Sequence, residues 1–353
     1  MPPHDDTPVE IKAVRARPHS SIFKRVLVLG VTAVGLYVVW PSLADVFSAG
    51  PRLATVSPLW GLPIVAAEAA SFACMWALLR LALDVKPWFP IATSQLAGNA
   101  FSRIVPGGAA AGGAMQFDML NSAGIAPTRA ATSLTAVSLI STATLLGLPV
   151  ISIAVILVTG ASVQHSLFRV GSIAVFACLA AIAGGAVLLF ADRPLLWLGA
   201  LIQQARNRAL RRRPPLKGLP ARLVDERDLI RRVLGVGWWK ALLFSAGNWL
   251  LDLTALLIAL AAVGAQPRAS VVLLAYVVAA VLGMIPITPG GLGFVEAGLL
   301  GTLGLAGIGA DQALLATLIY RLTSYWLPMP TGAVAYLLHA RRYGRRRKRA
   351  AGS

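Results

Sequence analysis

Charge is what this chain has least of. Only 13% of its 353 residues are charged, and only 14 are acidic. A soluble domain carries roughly 25% charged residues. The length alone would suggest two or three soluble domains, but there is too little polar residue to cover them. Cysteine is equally scarce. Cys74 and Cys178 each lie inside an apolar run and read as small packing residues, not as a disulfide. Histidine is limited to His4, His19, His165 and His339, at tails, loops or ends of apolar stretches. There is no histidine cluster, no cysteine in a polar setting and no carboxylate pair of metal-binding type. No metal and no other cofactor is therefore expected, and catalysis is not the expected role. No glycine-rich nucleotide loop is present, so ATP is not expected as a direct driver.

What the chain has in abundance is apolar sequence. Hydrophobic residues make up 57% of it, arranged in recurring charge-free stretches of about 20 residues, the length that crosses a bilayer as a helix. The expected fold is an all-α integral membrane protein with about eight transmembrane helices, at 26–47, 59–83, 130–159, 170–191, 241–263, 269–287, 292–309 and 313–339. A more polar, Ala/Gly-rich stretch at 91–122 is not counted as a full crossing. The N-terminal 20 residues are polar and carry no cleavage pattern, so the first apolar stretch is read as an anchor that stays. The chain divides into a polar tail (1–25), a first membrane half (26–191), a basic loop (192–240), a second membrane half (241–340) and a basic tail (341–353).

The net charge of +18 would by itself suggest nucleic acid. Its placement points elsewhere, and no nucleic acid is expected as a partner. Residues 1–25, 192–240 and the tail hold 24 of the 32 basic residues. Eight spans put all three blocks, and both termini, on the cytoplasmic side of the cell membrane, leaving Arg52, Arg169 and Arg268 in the opposite loops. The loop 192–240 is either a surface for anionic headgroups or a topology determinant only. The C-terminal basic run is expected to be disordered.

Two segments echo each other. The first runs Arg103-Ile104-Val105-Pro106-Gly107-Gly108 and on to Gln116. The second runs Pro286-Ile287-Thr288-Pro289-Gly290-Gly291-Leu292-Gly293 and on to Glu296. Proline removes a backbone donor and glycine releases φ, so Pro-Gly-Gly interrupts a helix. Such breaks in corresponding halves mark midplane binding sites in repeat-built transporters, and the helix after each break offers free N–H groups to an anion. The other reading is a tight turn at the bilayer surface. Ionisable residues within the apolar stretches bear on the choice: Glu68, Asp252, Glu296 and Arg321, with Arg103 before the first break. Five unpaired charges at the bilayer centre would cost roughly 12–18 kcal/mol, more than a typical protein's stability. They must pair, line water or sit near the interface. Arg103 and Arg321 suit phosphate oxygens, with Glu296 or Asp252 as counterion or proton carrier. Asn99 and Gln95 lie one and two turns before Arg103, on one helix face. Trp40, Trp238, Trp239 and Trp326 read as interfacial anchors.

Three motifs together look familiar: Arg103-x-x-Pro106-Gly107-Gly108, Pro289-Gly290-Gly291-Leu292-Gly293-x-x-Glu296, and Tyr320-Arg321-Leu322 followed by Tyr325-Trp326. With them the chain resembles, from about residue 22 to 341, the lysylphosphatidylglycerol synthase transmembrane-region family, the flippase-like YbhN-type (UPF0104) membrane proteins. The resemblance implies an eight-span flippase-like module. In two-part lipid-aminoacylating proteins that module precedes a soluble acyltransferase-like domain. The longest polar segment here, 192–240, is too short for such a domain. The resemblance therefore implies lipid handling, with membrane lipids as partners, rather than lipid synthesis. The expected function is a flippase for a phosphate-bearing or other anionic lipid. The proposed headgroup site is Arg103, Pro106, Gly107, Gly108, Pro289, Gly290, Gly291, Gly293, Glu296, Tyr320 and Arg321, supported by Glu68, Asn99 and Asp252. The alternatives are a non-catalytic partner of an envelope-lipid enzyme and a membrane-embedded lipid-modifying enzyme.

Overall fold

The computed structural model describes residues 56–105, 108–159, 165–209, 217–235, 237–283 and 288–350. The expected tail 1–25, the expected span 26–47, and Trp40 lie outside them. Among the described residues the chain is helical and contains no strand. The helices are α1 (Gly61–Leu83), α2 (Trp88–Ile104), α3 (Gly108–Ser122), α4 (Pro127–Thr159), α5 (His165–Phe190), α6 (Asp192–Ala209), α7 (Leu219–Leu234), α8 (Trp238–Ala262), α9 (Ala269–Gly283), α10 (Phe294–Leu305), α11 (Ala310–Arg321) and α12 (Pro328–Ala350). A 3₁₀ turn at Pro58–Trp60 leads into α1, another at Pro289–Gly291 precedes α10, and a π turn at Leu322–Trp326 joins α11 to α12.

Among the described residues three segments are long and apolar enough to cross a membrane: Pro58–Leu83, Pro127–Val158 and Trp238–Ala262. A fourth results if Cys178–Leu188 and Asp192–Arg208 form one span bent by 94°. Large apolar side chains point outward along these helices, among them Leu62, Ile151, Val158, Phe176 and Leu243. The polar contacts lie between helices. Ser71 Oγ donates to the Asn248 carbonyl at 2.9 Å and accepts from Asn248 Nδ2 at 2.6 Å, joining α1 to α8. Ser245 donates to Thr144 at 2.8 Å, and Trp249 Nε1 to the Ser141 carbonyl at 2.9 Å, joining α8 to α4. Each such bond contributes on the order of 0.6 kcal/mol within a membrane. Apolar outside and hydrogen-bonded inside is the arrangement a lipid solvent selects.

The four helices that flank the Pro-Gly-Gly motifs are each too short to cross alone. At 1.5 Å per residue, α2 and α3 extend about 26 and 22 Å, and α9 and α10 about 22 and 18 Å, against a hydrocarbon core of about 30 Å. They pair as two antiparallel hairpins. In the first, Ser102 meets Gly108 and Gly98 meets Gly112, so that a Cβ on Gly98 would sit 2.8 Å from the Gly112 carbonyl oxygen. In the second, Gly283 meets Val295 and Ala279 meets Gly298. The segments between partners hold the two Pro-Gly-Gly motifs. α12 packs along α2, with Gly332 against Leu96 and Ala100.

The sequence 313–339, expected as one span, is helical and carries the π turn within it. The structure departs from expectation in two places. The loop 192–240 is largely helical, as α6 and α7, because leucine and isoleucine recur at helical spacing among its charges. Arg211, Arg212, Arg213, Pro214 and Pro215 lie outside the described residues. Arg227 of α7 pairs with Asp192 at 2.6 Å and Asp228 at 2.8 Å, which joins α7 to the start of α6 and raises the guanidinium's pKa above its ordinary value. The basic tail, expected to be disordered, continues α12 to Ala350. Arginine and lysine are good helix formers, and positive charge is favourable at a helix C-terminus.

Candidate functional site

A cavity of about 610 Å³ lies where the two hairpins meet α1, α4, α8 and α11. Its basic end is built at the glycine breaks. Arg103 ends α2. Its Nε donates to Asn99 Oδ1 one turn earlier, and its Nη1 to the Ser324 carbonyl, both at 2.6 Å. The π turn shifts the local hydrogen-bond ladder, with Leu327 N–H bonding the Leu322 carbonyl at 3.0 Å, and the Ser324 carbonyl faces α2. The Tyr325 hydroxyl donates to the Arg103 carbonyl at 2.9 Å, satisfying an acceptor that a helix end leaves free.

Arg321 enters from α11. Its Nε donates to Glu296 Oε1 at 2.6 Å, while Glu296 Oε2 accepts the Gly293 N–H at 2.7 Å. Glu296 thus caps α10 and fixes Arg321 in one contact set. The Arg321 and Arg103 guanidinium carbons lie 4.3 and 5.0 Å from the centre of the Tyr325 ring. Two cations share one aromatic platform, a favourable geometry for each. Gly290 makes the platform possible. Its φ is +58°, and a Cβ there would lie 2.5 Å from Tyr325 Cε2 and 3.3 Å from Arg103 Cα. Only glycine fits both the conformation and the space. Arg321 Nη2 is buried without a partner. Among the described residues no carboxylate is within ion-pair distance of Arg103.

The opposite end is acidic. Asp252 of α8 accepts hydrogen bonds on Oδ2 from the hydroxyls of Tyr276 (α9) and Tyr320 (α11), the latter at 2.8 Å. Glu68 of α1 lines the same cavity and is only 4% exposed, yet its Oε1 has no partner. Ser71, Gln95, Ser141 and Asn248 line the wall.

The structure brings Glu68, Asn99, Arg103, Gly108, Gly290, Gly291, Asp252, Tyr320 and Arg321 onto this one cavity. Gly293 and Glu296 stand behind Arg321, off the wall. Pro289 opens the 3₁₀ turn that carries Gly290. Pro106 and Gly107 lie outside the described residues. Reading the sequence missed the platform, Tyr325, and the second phenol on Asp252, Tyr276. A signal existed for Tyr325, which lies four residues after Arg321 and so on the same helical face. Among the described residues no group of three His, Cys, Asp or Glu side chains is placed to hold a metal. The donors at the basic end, two guanidiniums with an unused N–H, suit phosphate or carboxylate oxygens.

Over residues 26–332 the sequence matches the family described as the lysylphosphatidylglycerol synthase TM region. It is also similar to UPF0104 membrane proteins of Methanothermobacter thermautotrophicus. One match has 35% identity over 111 residues, 31% of this chain and 30% of the relative. A second has 30% identity over 87 residues, 25% of this chain and 26% of the relative. Each match thus spans less than a third of the curated relative's length.

Proposed function

The chain belongs to the lysylphosphatidylglycerol synthase transmembrane-region family, and from that premise we propose that it moves an anionic, phosphate-bearing lipid between the leaflets of the cell membrane. The observation that carries this reading is the pair of guanidiniums on Tyr325 at the meeting point of two broken hairpins. Arg103 is held by neutral oxygens and an aromatic face, with no carboxylate in ion-pair distance. It is ready for an external anion. The cavity holds a headgroup but not two acyl chains, which would remain among the outward-facing apolar side chains. In this reading the hairpins α2–α3 and α9–α10 enter the membrane without each helix crossing, so that six of the eight expected spans cross, an even number that keeps both termini cytoplasmic. The basic residues of 192–240 and the tail then face anionic lipid on the same side.

The test is transbilayer movement in liposomes holding the purified protein, with fluorescent phosphatidylglycerol and a fluorescent polyprenyl phosphate as probes. Wild type should accelerate movement of at least one probe, and Arg103→Ala should reduce the rate at least tenfold. Equal rates for wild type and protein-free liposomes, or for wild type and Arg103→Ala, would sink the proposal. The amphipathic pair α6 and α7 favours a second reading, a membrane partner that positions an envelope-lipid enzyme. In that reading purified wild type moves no probe in liposomes, and deletion of 205–222 abolishes co-purification of the partner enzyme while the helices stay folded.

A further inference from the structure

Lipid movement against a gradient needs an energy source, and the basic end of the cavity offers none. The acidic end does. Glu68 and Asp252 line the same cavity, and a buried carboxyl with no donor to its oxygen is favoured in the protonated form, because a carboxylate has only acceptors. The positions say which carboxyl binds the proton. Asp252 Oδ2 already receives two phenolic O–H donors, which suit the ionised form. Glu68 receives none. It lines the cavity while only 4% exposed, and its Oε1 is buried without a partner.

We propose that Glu68 is a proton-exchange site, in the same cavity as Asp252, whose occupancy sets whether Arg103 is free to bind the lipid anion. The proposal rests on the lipid-translocation reading above. The charged and titratable groups around Glu68 come from every neighbouring element: Asp252 from α8, Arg103 from α2, Tyr276 from α9, Tyr320 and Arg321 from α11, and Tyr325 from the π turn. α4 contributes only hydroxyls to the wall. With Glu68 protonated, the ions Arg103, Arg321, Glu296 and Asp252 sum to zero, and an anion entering at Arg103 meets no excess negative charge. With Glu68 ionised, the same cavity carries one surplus negative charge, and Glu68 and Asp252 both attract Arg103. Proton and lipid anion therefore bind cooperatively, and by linkage each raises the other's affinity by the same factor. The proton comes from water in the cavity on one side and leaves to water on the other. No bond other than O–H is made or broken.

Two measurements test this in purified full-length protein. The first is pH-difference infrared spectroscopy. A protonated-carboxyl stretch is expected in wild type, lost in Glu68→Gln and kept in Glu296→Gln. Its absence from wild type, its persistence in Glu68→Gln, or its removal by sodium at constant pH would overturn the proton assignment, the last in favour of a sodium site. This measurement stands even if no lipid moves, so failure of the transport reading is separable from failure of the proton site. The second adds short-chain phosphatidylglycerol to weakly buffered protein with a pH-sensitive dye. Uptake approaching one proton per protein is expected in wild type and none in Glu68→Gln. In liposomes a one-unit pH gradient, coupled one to one, supports an accumulation ratio of about tenfold. Glu68→Gln should lose the response to the gradient. Tyr276→Phe, which keeps both carboxyls but removes one donor to Asp252, should shift the pH at which the infrared band titrates. A band unmoved in Tyr276→Phe, or lipid binding with no proton uptake in wild type, refutes the coupling.

Discussion

At the scale of single residues, Arg103 and Arg321 are not equivalent, although both lie on Tyr325. Arg321 is tied to Glu296, so its charge is balanced within the protein. Arg103 is held by the Asn99 amide oxygen and the Ser324 carbonyl. Arg103→Lys should therefore fail to rescue activity. An ammonium lacks the planar fork that reaches Asn99, Ser324 and the ring together, and lipid movement should stay at least tenfold below wild type in the liposome assay. Glu296→Gln should act differently. It removes the counterion of a buried arginine, so thermal unfolding of the detergent-purified protein should shift down along with activity. Gly290→Ala should cost about 1–3 kcal/mol, from a left-handed φ and a clash with Tyr325, read as a lower unfolding temperature. Arg103, Glu296, Arg321 and Asp252 were legible in the sequence because a charge inside an apolar run has no cheap explanation. Tyr276 and Ser324 were not. An aromatic or a serine in such a run is ordinary, and what each faces is decided by packing between elements far apart in the chain.

At the scale of elements, the glycine breaks were legible as breaks, and what they do was not. Pro-Gly-Gly stops a helix wherever it lies, at the bilayer surface or in the membrane. The structure adds that each break closes an antiparallel hairpin and that the two hairpins touch at Gly290 and Arg103. The small residues carry that packing. Gly112→Val should push α3 off α2, because the Gly98 and Gly112 backbones are in contact, and it should lower thermal stability and lipid movement together. α12 fixes the first hairpin from the other side through His339, only 3% exposed. Its ring nitrogens lie 2.8 Å from Thr93 Oγ1 and 3.0 Å from the Met119 carbonyl. His339→Ala should cost about 1–3 kcal/mol by leaving buried polar groups unpaired, seen as a lower unfolding temperature. His339 looked like a residue at the end of an apolar stretch because its partners are on α2 and α3. The π turn was equally invisible, since the sequence around Tyr325 keeps a helical pattern on both sides of it.

At the scale of the whole molecule, three features point to one arrangement: long helices with apolar outer faces, polar contacts turned inward, and basic residues gathered in a few segments. α8 ties them together. At 25 residues it is about 38 Å long, more than the hydrocarbon core it would cross. Trp238 and Trp239 are exposed at its start, where tryptophan anchors at the membrane–water boundary. The segment before α8 is basic and the turn after it carries Arg268 alone. If α8 crosses, Lys217 and Gln266, both exposed, must lie on opposite sides, and the positive-inside rule assigns Lys217 to the cytoplasm. The check is cysteine labelling in intact cells. Cys74 and Cys178 are first replaced by alanine, and single cysteines are placed at Lys217, Gln266 or Ser353. An impermeant maleimide should modify the Gln266 site in intact cells, and the other two only after the membrane is opened. Labelling of Lys217 and Gln266 from the same side would mean that α8 does not cross. Opposite sides for Lys217 and Ser353 would mean an odd number of crossings between them, ruling out the arrangement in which α8, the hairpin α9–α10 and the helix through α11 and α12 return the chain to the face it left.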